Sequence, residues 1–343
     1  LAPPTLLARR RLLSQQLARP RFASPADLVR WFGAVQAQDY LAGLWAVGQR
    51  LTDASEADVE AAVADRTIVR TWPMRGTLHF VPAEDARWML RLLTPRVVAR
   101  SAGRHRQLGL ADADFTRARK VLERALRDGR ALSRPDTYAA LQRGGVSPEG
   151  QRGIHIIGHL AQQQVVCYGP RQGRQPTFVL FEDWVRRPRD LPREEALATL
   201  ASRYFASHGP ATPHDFAWWT GLPLREARLA MDIAGSKEDK APGAAARGPV
   251  AALLPPWDEY VVAYKDRAHA LGGLPRSVAG PGMAIGRPLI LIDGRVRGSW
   301  GREINASTVR VRLDWWGKAS AAERRAADRA ARRYAAFLGK TPR

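Results

Sequence analysis

The chain has 343 residues, enough for two or three domains with real cores, and an ordinary 45% apolar content. Its charge is not ordinary. Against 33 acidic residues stand 54 basic ones, a formal net charge of +21, which suits nucleic acid first and an anionic membrane or acidic partner second. One cysteine, Cys167, excludes a disulfide within the chain and fits a reducing cytoplasm, and no apolar run approaches the length that spans a bilayer.

From Pro4, the spacing Leu6, Leu7, Leu12, Leu13, Leu17 predicts an amphipathic helix with Arg9, Arg10 and Arg11 on its other face, not the core of a signal peptide. A first residue other than Met points to a trimmed start. Ser24-Pro25 reads as the cap and first turn of a helix running to about Val35. Leu41–Leu51 continues apolar, and Ser55 caps a further helix. Ile68–Trp72 and Thr77–Val81 read as two strands around Pro73-Met74-Arg75-Gly76. Helices followed by a hairpin are the layout of a winged helix. Ala83–Leu93 and Val97–Gln107 read as helices separated by Pro95, and Asp112–Arg127 as the next.

The layout then recurs. Ser133-Arg134-Pro135-Asp136 starts a helix through Leu141, and Ser147-Pro148-Glu149 starts another, Gly150–Gln163. Val165–Tyr168 and Thr177–Phe181 read as strands around a tip that carries Arg171 and Arg174. A third copy begins with a helix over Arg193–Ser207. His214–Trp219, the turn Thr220-Gly221-Leu222-Pro223 and Leu224–Ile233 form the clearest helix-turn-helix pattern, and the Gly/Ala/Lys-rich Gly235–Gly248 reads as a mobile loop. From Pro249 the chain becomes β-rich: Ala251–Leu254, Val261–Tyr264, then Leu289–Ile292 and Arg295–Gly301 joined by Asp293-Gly294, the strongest hairpin signal in the chain. Val309–Leu313 adds a strand. Ala321–Leu338 closes the chain as a helix, with Ser320 and Glu323 spaced as a capping box.

The stretch Ala34-Val35-Gln36-Ala37-Gln38-Asp39-Tyr40 is where the chemistry is placed. Glutamine has little acid–base strength, but its amide can orient a water and turn a carbonyl oxygen toward positive charge. A Gln-x-Gln pair therefore suits a reaction whose leaving group needs no protonation. In an extended segment Gln36 and Gln38 project to one side, whereas in an intact helix they diverge by roughly 200°, so the motif is expected at a helix end or in a loop.

With that segment, the chain resembles the winged-helix DNA glycosylases of the AlkZ/AlkX type, whose mark is a Gln-x-Gln or Gln-x-Asp catalytic motif near the N-terminus. Here it is Gln36-Ala37-Gln38. Met74-Arg75-Gly76-Thr77-Leu78-His79, Leu254-Pro255-Pro256-Trp257-Asp258-Glu259-Tyr260, Tyr264-Lys265-Asp266-Arg267 and Ile292-Asp293-Gly294-Arg295-Val296 also look like family segments, in order. The resemblance implies an α+β fold of three tandem winged-helix modules plus a C-terminal β-rich domain, C-shaped around DNA. In this chain the divisions fall at 1–95, 96–190, 191–248 and 249–343. It further implies a monofunctional glycosylase that removes N7-alkylated purines from double-stranded DNA. Gln at the second position points to the branch that includes self-resistance enzymes of antibiotic producers, which release bulky alkylguanine adducts or unhook interstrand crosslinks. Asp39, one residue later, does not substitute by position.

The catalytic candidates are thus Gln36 and Gln38. Arg75, Thr77 and His79 are candidates for one DNA-lining wall, and Arg171, Arg174, Arg295, Arg297 and Arg302 for phosphate or minor-groove contact. Asp258 and Arg267 are expected to pair, or Asp258 to cap, in support of the site. No cofactor or metal is expected. His155 and His159 stand at i and i+4, but without the Glu of a zincin, and read as core or DNA-facing. A cytoplasmic monomer acting on double-stranded DNA, with no membrane partner, is the default. The competing readings are a winged-helix transcriptional regulator without enzymatic activity and a scaffold for RNA or an acidic partner.

Overall fold

The computed structural model describes residues 6–235, 248–274 and 285–343. The segment expected as a mobile loop after Gly235 falls outside the described residues over 236–247, as do residues 1–5 of the N-terminal pattern. The chain begins with α1 (Leu6–Ser14) and α2 (Pro25–Phe32). The Ser24 hydroxyl accepts from the Asp27 N–H at the start of α2, with Pro25 in its first turn. Gly33, at φ 79°, ends α2 and turns the chain into β1 (Val35–Gln36), two extended residues. Asp39 caps α3 (Tyr40–Gly48), accepting from the Ala42 N–H at 3.1 Å. Reciprocal hydrogen bonds between Ser55 and Asp58 start α4 (Glu56–Ala64).

β2 (Ile68–Met74) and β3 (Thr77–Pro82) form a hairpin whose turn residues, Arg75 and Gly76, have φ of 54° and 73°, the left-handed pair that matches strand twist. Then come α5 (Ala86–Gln107), α6 (Asp112–Ala125), β4 (Leu132–Ser133), α7 (Arg134–Arg143) and α8 (Arg152–Gln162). β5 (Val166–Tyr168), β6 (Thr177–Leu180), α9 (Phe181–Trp184) and α10 (Arg193–His208) follow. α11 (Pro213–Thr220) and α12 (Leu224–Ile233) are joined through Gly221 at φ 77°, the helix-turn-helix expected there. The rest is β7 (Ala251–Leu254), α13 (Glu259–Val262), α14 (Ala268–Leu271), β8 (Leu289–Ile292), β9 (Arg295–Ile304), β10 (Thr308–Trp315), α15 (Ala321–Phe337) and β11 (Thr341–Pro342).

The chain is a mixture of helices and two sheets, and it divides into two compact units. One comprises Leu1–Val59, Leu197–Trp219 and Pro223–Arg343; the other, Glu60–Ala196 and Thr220–Leu222. Within the second, the antiparallel ladder runs β3-β2-β5-β6-β4, over a core of residues such as Phe115, Leu122, Ile156, Leu160 and Phe178. Within the first, the sheet order is β11-β10-β9-β8-β7, with Leu12, Leu254, Tyr260, Leu289 and Leu291 in its core. Trp45 of α3 packs its ring edge-on against Tyr334 and obliquely against Phe337 of α15, at 5.0 and 5.1 Å. Gly294 in the β8–β9 turn is required twice over: its φ is 82°, and a Cβ there would lie 2.5 Å from the Tyr260 hydroxyl.

Two expectations are corrected. Val261–Tyr264 is not a strand. Its first half is α13, whose start is fixed by the Asp258 carboxylate accepting from the Tyr260 N–H at 2.9 Å. Every residue from Tyr260 to Tyr264 is buried, so the apolar run carries no period that separates helix from strand. Pro95 does not divide two helices but lies inside the 22-residue α5. Leu92 and Leu93 are buried just ahead of it, and the Thr94 hydroxyl donates to Leu90 O at 2.7 Å. Packing on that side outweighs the local cost of the proline.

Candidate active site

The Gln36–Gln38 segment lies between Gly33, which ends α2, and Asp39, which starts α3. Burial alternates along it: Val35 and Ala37 are 0% and 1% exposed, Gln36 is half-buried and Gln38 exposed. That is the pattern of an extended chain with one face pinned to the core. The two apolar residues fix the segment, and both glutamines fall on the opposite face, as the sequence pattern predicts. The Gln36 side-chain amide has no hydrogen-bond partner among the described residues.

The backbone of Gln36 is held from below. Its N–H donates to Glu259 Oε1 at 2.7 Å. Glu259, 1% exposed, also accepts from the indole N–H of Trp219 at 3.0 Å, and His208 Nε2 lies 3.5 Å from the same oxygen. The His208 imidazole stacks on Tyr204 at 4.5 Å, and its Nδ1 lies 2.8 Å from the Ser207 hydroxyl, which donates onward to Arg203 O. Complete burial lowers the His208 pKa, and the neighbouring carboxylate works in the other direction.

Asp258, next in sequence to Glu259, does a different job. It does not pair with Arg267, as the sequence suggests; its guanidinium partner is Arg50, through bonds of 2.7 and 2.8 Å, with both side chains at most 1% exposed. Gln15 and Gln49 complete the cluster: Arg50 donates to both oxygens of Gln15, and Gln49 to Asp258. The expected capping by Asp258 is present, at α13. Arg267 instead donates from Nε to Val261 O and lies over the Trp218 ring. Sequence reading missed Arg50 because it closes a solid apolar stretch, and a charge there carries no sign of its partner more than 200 residues away. His208 and Trp219 carried no signal at all, being single residues in ordinary helical patterns.

The expected DNA-contact residues divide into committed and exposed groups. His79 is fully buried, with Nδ1 3.0 Å from Thr77 O and Nε2 3.4 Å from Arg75 Nη2. It therefore stands behind Arg75, not on a surface. Arg75 and Thr77 are half-buried. Arg171 is ion-paired with Glu60, whereas Arg174, three residues along the same tip, is exposed. Arg297 is clamped between Glu323 and Lys318 O. Arg295 and Arg302 are half-buried, and Arg302 lies 5.8 Å from the rings of Trp300 and Tyr334. Sequence reading passed over Arg310, exposed on β10 opposite Glu303; the alternation of Arg310 and Arg312 along the strand was its available signal.

His155 and His159 belong to an aromatic cluster with His105 and Phe115, in which His159 lies 4.0 Å from Phe115. Burial lowers the His159 pKa to about 4. Among the described residues no group of three or more His, Cys, Asp or Glu could hold a metal, and no helix is long and apolar enough to cross a membrane. Cys167 is fully buried, and burial raises its thiol pKa well above the usual range.

A family model described as DNA glycosylase AlkZ-like matches residues 29–337, a span that contains the glutamine segment and its buried carboxylate anchor. The chain belongs to the AlkZ-like DNA glycosylase family. Among its relatives, the interstrand DNA cross-link repair glycosylase of Streptomyces sahachiroi is 26% identical over 329 residues, covering 84% of this chain and 85% of the relative. The solved structure of Streptomyces sahachiroi DNA glycosylase AlkZ shares the fold with a TM-score of 0.70 at 23% identity, over 98% of each chain. Nothing in these comparisons favours a transcriptional regulator.

Proposed function

We propose that this protein hydrolyses the N-glycosidic bond of N7-alkylguanine in double-stranded DNA, with bulky adducts and interstrand crosslinks as its natural targets and self-resistance to a genotoxin as its role. Alkylation at N7 places a positive charge on the guanine, so the base departs neutral and no general acid is needed. What remains is to stabilise an oxocarbenium-like sugar and to hold a water at C1′. The amide oxygens of Gln36 and Gln38 suit both tasks. Preorganised groups of this kind contribute about two to three orders of magnitude each in comparable sites. Unmodified purines, with poorer leaving groups, are spared.

The observation that carries this reading is the alternation across Val35–Gln38, which presents both amides on one face while the intervening residues are buried. The relative's role in crosslink repair is the reason for extending the substrate to crosslinks. Arg174 and Arg310 are the first candidates for phosphate contact, with Arg75 and Thr77 as candidates for a DNA-lining wall. The repeated helix and hairpin layouts are read as three winged-helix modules before a β-rich domain, in a monomer that works in the cytoplasm by hydrolysis alone. The test is base release from duplexes bearing one N7-methylguanine or one guanine–guanine mustard crosslink. The expected product is free alkylguanine, identified by mass, and an abasic site. Intact glycosidic bonds in both substrates after prolonged incubation would reject the proposal.

A further inference from the structure

Resting on that reading, we propose that Glu259 is a positioning residue for the reaction: its buried carboxylate sets the aim of Gln36 by holding the Gln36 backbone N–H, and the Trp219 indole N–H in turn holds Glu259. A carboxylate removed from water needs specific partners to remain there. Here one oxygen is given to the backbone of a candidate catalytic residue more than 220 positions away, at 2.7 Å, and the other faces Trp219 and His208. Hydrogen bonds to an ionised acceptor are stronger and more directional than neutral ones. β1 has only two residues, Gly33 before it is in the left-handed region, and Asp39 caps α3 after it. Val35 and Ala37 choose which face is buried, and the Glu259 oxygen restrains the twist of the segment, because it binds the N–H of the peptide that leads into Gln36 Cα.

The adjacent Asp258 sharpens the assignment. Its charge is answered by Arg50, whereas Glu259 spends an oxygen on the glutamine segment. Glu259→Gln is close in shape but breaks this arrangement. The new amide has one oxygen and one NH2, so one of the two N–H groups, from Gln36 or from Trp219, meets a donor instead of an acceptor. Replacing Trp219 by Phe removes the competing donor and lets the amide oxygen return to Gln36.

The experiment measures single-turnover base release from an N7-methylguanine duplex by wild type, Glu259→Gln, Gln36→Ala and the double variant. Affinity for a tetrahydrofuran abasic duplex and thermal melting are measured alongside. The expected result is a rate about tenfold to a hundredfold lower for Glu259→Gln, the scale on which small misplacements of catalytic groups act, with affinity within about twofold. On the Gln36→Ala background Glu259→Gln adds no further loss, because the two act as one unit. Glu259→Gln/Trp219→Phe recovers part of the lost rate. Should Glu259→Gln not fold, Glu259→Asp replaces it: the charge facing His208 stays, the oxygen is withdrawn from Gln36 by one methylene, and the same non-additivity is expected. The inference is overturned if the variant keeps the wild-type rate, or if its loss persists in full without the Gln36 amide. A wild-type rate for Gln36→Ala itself would instead mark the failure of the underlying functional reading.

Discussion

The Gln36–Gln38 segment and the tip between Gly169 and Pro176 are both short polar stretches between regular elements, and they are built in opposite ways. The first is fixed at every step: a left-handed Gly33 before it, buried Val35 and Ala37 within it, a Glu259 carboxylate under it and an Asp39 cap after it. The second is closed by the backbone bridge between Gln172 and Gln175 and the Thr177 hydroxyl on Pro170 O, with the side chains of Gln172, Arg174 and Gln175 exposed. Chemistry at one carbon atom demands placement within fractions of an ångström. Attraction to a charged backbone demands only that a cation be near, since Coulomb forces fall slowly with distance. On the proposed function, the difference in construction is a difference in the tolerance of the tasks.

The support under the first segment is the place to break that contrast most severely. Asp258→Ala would leave the Arg50 guanidinium buried and unpaired, at an expected cost of about 3–5 kcal/mol, read in denaturant melts of the purified protein. Arg297→Ala should cost far less, about 1 kcal/mol, because its pair with Glu323 sits at the edge of α15. Equal losses from the two would mean that the Arg50–Asp258 cluster is not the keystone of its unit.

Acid sharpens the comparison next. His269 is nearly buried and accepts from Arg11 through Nδ1, which together with burial lowers its pKa to about 3; His159 is lowered to about 4 by burial. For both, the unfolded chain binds the proton more readily than the folded one, from a normal value of 6.5. Stability is therefore held above pH 6.5 and lost as pH falls through the window down to about 4 for His159 and about 3 for His269. His159→Phe should flatten the upper part of that decline, and an unchanged slope between pH 6.5 and 4 would contradict the assignment.

The smallest effects belong to the tip. Arg174→Ala should reduce the slope of log affinity against log salt by about one, with little change in folding. Arg171→Ala should change that slope less, its guanidinium being held by Glu60, and should instead weaken the tip locally by about 1 kcal/mol or less. The reverse order in salt titrations would show that the intramolecular pair opens on DNA.

Features encoded locally were legible in the sequence. The Asp293-Gly294 hairpin, the Ser320–Glu323 capping box, the Ser24 and Ser133 caps and the Gly221 turn depend on a few adjacent residues, and all stand where their chemistry puts them. The extended setting of Gln36 followed from the need to face two amides the same way. Features made by tertiary packing were not legible. The partner of Asp258, the burial of His79 and the contacts of Glu259 depend on residues brought together from distant parts of the chain, and the paired carboxylates at 258 and 259 gave no hint that they serve different partners. Among the arginines, composition alone could not separate Arg171 and Arg297, already engaged, from Arg174 and Arg310, which are exposed.

The most direct test of the central claim is single-turnover release of N7-methylguanine by Gln36→Ala and Gln38→Ala proteins whose folding and DNA affinity match wild type. An amide pair that stabilises the sugar and holds the water predicts losses of about a hundredfold to a thousandfold from either change. Release at the wild-type rate by both variants would show that the chemistry lies elsewhere.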